Sequence, residues 1–232
     1  MLNKKLMTSI VLLGMMTVGF AGQAFADEGD TYTIEGTNGE NSADVTTRGN
    51  LGKIDPTDPE TPLPEGNDRW IKVTLPTAVV FESDSSDAKK ITSVNNYEIK
   101  NESGRPVKVD VAKYVINGGD GVDALAELNV KRGTGYVYDS SANVINESAT
   151  SSVKLTRAQG EGNDAINHEL VRLANNEGEI GGKTSAKTTT NFEFTGAIDT
   201  NELKESKNFV ESTLTFKFTA LRMDGKTVEE AK

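Results

Sequence analysis

Between Val210 and Leu221 one parity of the chain is apolar and the other is wet. Val210, Ser212, Leu214, Phe216, Phe218 and Ala220 fall on one side, five of the six apolar, and Glu211, Thr213, Thr215, Lys217 and Thr219 fall on the other. A period of two held this long is that of a strand with one face against a core and one in water; a helix would scatter these residues around its circumference. One such strand needs a sheet to pair with and a second layer to cover its apolar face.

The rest of the chain supplies them. In Trp70–Leu75, Ile71, Val73 and Leu75 alternate with Lys72 and Thr74, and Pro76, with no N–H for a ladder, ends the run. Ala78–Phe81 reads as a second strand and Ser83–Lys90 as a polar turn. Tyr97–Asn101 and Val107–Val111, the latter continuing to Val115, alternate on either side of Gly104-Arg105-Pro106, which predicts a β-hairpin. Gly118–Gly121 is a loop. Asp123–Leu128 fits one helical turn and Leu128–Lys131 equally a strand. Tyr136–Tyr138, Val153–Thr156 and Thr188–Phe194 are further strands, and Gly196–Lys207 is a polar connection. Over Asp164–Ala174, Ile166, Leu170, Val171, Leu173 and Ala174 fit a helical face capped by Asp164, and an alternating strand also fits; its strand neighbours favour the strand. Roughly eight to ten short strands with turns between them predict an antiparallel β-sandwich over residues 70–232.

The first 69 residues are of another kind. Lys4 and Lys5, the apolar Ile10–Gly22 and Ala24-Phe25-Ala26 are the three parts of a secretory signal peptide, with Ala24 and Ala26 framing cleavage after residue 26. The apolar run is too short to span a bilayer comfortably. Residues 27–69 hold eleven acidic and three basic residues and four of the six prolines, which predicts an extended, solvated, acidic leader. Within it Tyr32–Ile34 and Ala43–Thr47 are β-prone, and the stretch near 43–51 could dock as an edge strand or be donated to a neighbouring subunit.

The formal charge of −10 becomes −12 once the two lysines of residues 1–26 are removed. An acidic exported chain has no electrostatic reason to hold nucleic acid or an anionic bilayer, and no second apolar run offers a membrane span. There is no cysteine, hence no lipid-anchor site, disulfide or thiolate chemistry. Exported proteins commonly use disulfides, so their absence suits a Gram-positive surface.

No catalytic pattern stands out. His168 is the only histidine, no nucleophile elbow accompanies it, and no zinc set or phosphate loop exists. Asp55, Asp58 and Glu60, or Asp84 and Asp87, lack the spacing of a calcium loop. The expectation is of no cofactor, no metal and no enzyme. For a glycan, the candidate ligand-binding residues are Trp70, Tyr136 and Tyr138, whose rings could form a stacking platform, with core or edge packing as the competing role.

The phrases IKVTLPTAVVF, ITSVNNYEIKNESGRPVKVDV and STLTFKFTAL together resemble the layout of the WxL-type cell-surface proteins of Gram-positive bacteria, over about residues 70–115 and 210–221. Trp70-Ile71-Lys72 and Phe216-Lys217-Phe218 stand where that family has its Trp-x-Leu tripeptides, so the likeness lies in the β frame. It implies a secreted, cell-wall-associated, non-catalytic adhesion or interaction module whose partners are other surface proteins or wall glycan. Two alternatives remain: a polymerising surface subunit with an N-terminal donor strand, and a carbohydrate-binding protein or glycan-active enzyme.

Overall fold

The computed structural model describes residues 54–94, 97–148, 151–204 and 208–232. The expected signal peptide and residues 27–53 of the leader, including the stretch near 43–51, lie outside the described residues. Within them the chain is all-β. Its strands are β1 (Val73–Thr74), β2 (Glu82–Asp84), β3 (Asp87–Thr92), β4 (Tyr97–Asn101), β5 (Val107–Gly118), β6 (Leu125–Arg132) and β7 (Gly135–Asp139). There follow β8 (Val144–Ser148), β9 (Ser151–Lys154), β10 (Thr156–Ala158), β11 (Glu161–Gly162), β12 (His168–Leu173), β13 (Thr189–Ile198) and β14 (Glu211–Ala220).

Two antiparallel sheets face each other. In one, β9, β6 and β13 lie side by side; β4 and β3 follow end to end along the far side of β13, and β1 and β2 lie outside them. The other has the order β14-β5-β12-β7-β8. Ile99, Leu128, Val130, Phe192 and Phe194 of the first sheet pack against Val107, Val109, Val111, Leu170 and Leu173 of the second, all buried. β10 and β11 form a small separate hairpin. The antiparallel sandwich is therefore present, and its longest ladder joins β14 to β5 from Glu211↔Gly118 to Ala220↔Val107.

Several local expectations change. The hairpin across Gly104-Arg105-Pro106 does not form: β4 pairs with β1 and β13, whereas β5 pairs with β12 and β14 in the opposite sheet. The turn is a crossover, held because Asn101 Nδ2 donates to the carbonyls of both Arg105 (2.9 Å) and Ala174 (2.7 Å). Asp164–Ala174 resolves as a strand, His168–Leu173. Where a polar turn is expected at Ser83–Lys90, β2 and β3 pair as a hairpin over Glu82–Thr92. The strand expected at Trp70–Leu75 shrinks to Val73–Thr74, and the strand expected at Ala78–Phe81 does not form, β2 beginning only after it. Pro76 interrupts this edge, and the Tyr97 side chain bridges the interruption: its hydroxyl accepts from Val80 N (2.8 Å) and donates to Val80 O (3.1 Å). Gly196–Lys207 is not all connection, since β13 runs on to Ile198.

The packed region also begins earlier than Trp70. Residues 54–72 close one end of the sandwich, with Leu63, Trp70 and Ala220 buried together and Ile54 and Ile71 against them. Asn67 caps the short 3-10 turn Asp68–Trp70 by accepting from Arg69 N. Arg105 reaches into this floor, 4.3 Å over the Trp70 ring, with Nε 3.1 Å from Glu65 Oε1 and Nη1 3.0 Å from Pro59 O. Gly104 N donates to Pro56 O, so close that a Cβ on Gly104 would meet Pro59 N at 2.9 Å. The prolines of this stretch thus lie on the domain and do not act as a solvated spacer.

The C-terminal turns after β14 pack at the same end. Arg172, wholly buried in β12, donates to Gly225 O, to both Glu169 oxygens and to both Glu230 oxygens. Burial by itself would lift the Glu230 carboxyl, but hydrogen bonds from Arg172 and Thr227 N, with the Arg172 charge, outweigh it and hold its pKa below the ordinary value.

Candidate functional site: an apolar groove between two sheet edges

The sandwich has an open seam. β14 is the edge of one sheet and the β1–β2 run is the edge of the other, and no strand lies between them among the described residues. Two adjoining cavities fill this gap, sharing Val79, Phe81 and Ser212. The upper one, about 670 Å³, lies under the loops after β5 and β13. The lower, about 350 Å³, runs between Leu75–Val79 and Leu214–Phe216.

Its floor is aromatic. Phe81 meets Phe194 with ring centroids 5.6 Å apart; Phe194 meets Phe192 edge-on at 6.2 Å; Phe192 meets Phe216 at 5.6 Å. Tyr114 completes the floor, 1% exposed, and its hydroxyl has no hydrogen-bond partner; Ser212 faces it without hydrogen-bond geometry. Burial pushes that phenol above its ordinary pKa, slightly opposed by Ser212.

The rim is equally unusual. Six large apolar residues are exposed among those described, and four of them line these cavities: Val80 (68%), Phe209 (48%) and Leu203 (38%) above, Leu75 (39%) below. Scattered surface apolar residues are ordinary, whereas a cluster about a groove marks a contact surface. The cause is local. Pro76 breaks the β1–β2 run, leaving Leu75 and Val80 out of the ladder, and β14, as an edge strand, leaves Leu214, Phe216 and Phe218 half-buried and not covered as the alternation suggested.

The aromatic platform for a glycan is not there. Trp70 is 0% exposed, its Nε1 donates to Pro64 O (3.0 Å), and Arg105 covers its ring, so no face is open to a sugar. Tyr136 is buried in a separate cluster with Ile145, Ala174 and Ile180. Tyr138 borders that cluster, Arg172 lies 4.9 Å over its ring, and its hydroxyl donates to Asn143 Oδ1 (2.8 Å). The three rings do not share a site. His168 is exposed at the start of β12, opposite Val111.

No group of three or more His, Cys, Asp or Glu able to hold a metal ion occurs among the described residues. Asp55, Asp58, Asp84 and Asp87 instead accept from backbone N–H groups two residues on, at Thr57, Glu60, Ser86 and Lys89. Such Asx turns use carboxylates to shape loops. No described helix is long and apolar enough to cross a membrane. No family model, no curated protein and no solved structure matches the chain.

Proposed function

We propose that this chain is an exported, non-catalytic cell-surface module that works by protein contacts through the groove between β14 and the β1–β2 edge. The observation that carries this reading is the gathering of Val80, Leu203, Phe209 and Leu75 around one aromatic-floored cleft. An exposed apolar cleft of this size is a standing cost in water and an aggregation hazard unless something covers it. The signal peptide read in residues 1–26 and the acidic mature chain support an extracellular setting in which retention depends on specific contacts. The buried Trp70 ring removes the main support for a sugar-binding role.

The test is fractionation of the native cells with wild-type chain and a Val80→Asp variant. Val80 is two-thirds exposed in a loop, so the substitution leaves the fold within about 0.5 kcal/mol. Wild-type protein is expected on the cell surface and the variant in the medium. Equal distribution of the two would overturn the role of the groove.

A further inference from the structure

We infer that residues 43–51 of the chain's own leader dock along the free edge of β14 and fill the lower cavity, adding a strand between the two sheets and leaving the upper cavity as the partner surface. The inference rests on the reading of the groove as a docking surface and names what occupies its lower half.

Reach supports it first. Ile54 packs in the floor with Ala220, the last residue of β14, so the leader arrives at the foot of the groove. From Ala220 back to Ser212 an edge strand covers about 26 Å, and residues 43–51 in extended form cover about the same. Residues 52 and 53 suffice to join them to Ile54. The direction follows too: the segment would run parallel to β14 and antiparallel to the broken run Leu75–Phe81.

Pattern supports it second. Ala43, Val45, Thr47, Gly49 and Leu51 share one parity, and Asp44, Thr46, Arg48 and Asn50 share the other. That is a short strand with small and apolar residues on one face and polar ones on the other, matched to a groove with an aromatic floor and an open mouth. Hydrogen bonding supports it third. The outer edge of β14 has no ladder partner among the described residues, and the buried Tyr114 hydroxyl has none at all. Buried polar groups are rarely left unsatisfied, and an extended backbone lying in the lower cavity brings N–H and C=O groups to both.

The chain lacks cysteine, so engineered pairs report cleanly. Val45→Cys is combined in the full mature chain with Ser212→Cys, Leu214→Cys or Phe216→Cys in turn and oxidised at low micromolar concentration. The expected product is a monomer that runs faster on a non-reducing gel, for at least one pair, while a Val45→Cys/Asn143→Cys control across the molecule gives none. Disulfide-linked dimers would mean that the strand comes from a second copy, and no cross-link from any pair would mean that the segment is elsewhere; either overturns the inference. As a second readout, Val45→Asp/Leu51→Asp should raise binding of an apolar fluorescent dye several-fold, and unchanged dye binding would count against it. Loss of surface retention in Val80→Asp without any cross-link would sink the docking and spare the proposed function. A cross-link with unchanged retention would do the reverse.

Discussion

At the scale of single residues, the two arginines at the closed end of the sandwich carry the sharpest expectations. Arg105 and Glu65 are both nearly inaccessible, with side chains 2% and 7% exposed. Removing one member of such a pair strands the other's charge in a poor solvent. Arg105→Ala should therefore cost about 3–5 kcal/mol, read as a drop in the urea midpoint. The carboxylates have opposite linkage to pH. Burial pushes the Glu65 pKa up in spite of Arg105, so its contribution is retained in acid and lost as pH rises through that raised value. The Glu230 pKa is held down, so its contribution is present above about pH 4.5 and is lost as pH falls through the lowered value. Acid should free the C-terminal turns: in the wild type, cleavage there by an acid-active protease should rise as pH falls below 4.5 and through the lowered Glu230 value. In Glu230→Gln, which has lost the titrating group, cleavage should already be high at pH 6. A Glu230→Gln profile identical to the wild type would show that the clamp does not matter.

At the scale of elements, alternation told most of the story wherever a strand has one dry and one wet face. β4, β5, β13 and β14 were legible on that ground, β4 to the residue. What alternation does not encode is the partner. Tyr97–Asn101 and Val107–Val111 look like a hairpin because they are adjacent and split by a Gly-containing turn; the buried Asn101 and Arg105 that make the turn a crossover are polar, and in sequence they read as surface. β8 escaped notice because Val144–Ser148 has a single buried residue, Ile145. The groove was hidden for a related reason. Leu75 and Val80 look like strand interior, and only the broken ladder after Pro76 exposes them. One element position is intolerant in a way that the sequence also conceals. Gly196, in β13 between β3 and β6, has no room for a Cβ, which would collide with Glu127 O and sit 3.1 Å from Leu128 Cα. Gly196→Ala should cost about 1–3 kcal/mol, measured by thermal or urea unfolding. An unchanged midpoint would show that the sheet can part there.

At the scale of the whole molecule, sequence established the class of fold, while the packed region starts before the composition change at Trp70. Pro56–Pro64 looks like a spacer by composition, yet Thr61 and Leu63 are buried and Asn176 Nδ2 holds Thr57 O at 2.6 Å. Proline-rich chain is stiff, and a stiff segment loses little entropy on docking. The consequence is mechanical. The leader reaches the domain at the end where the C-terminal turns lie, with Val228 so close over Gly66 that a Cβ there would collide. A force applied between Ile54 and Lys232 therefore falls first on this one pole, on the Arg105–Glu65 and Arg172–Glu230 pairs, before the long β14–β5 ladder carries any load. Stretched between two anchorages, the protein should yield in two stages, a low-force release of the floor followed by rupture of the sandwich. Single-molecule pulling should show the first event disappear in Arg105→Ala while the second keeps its force.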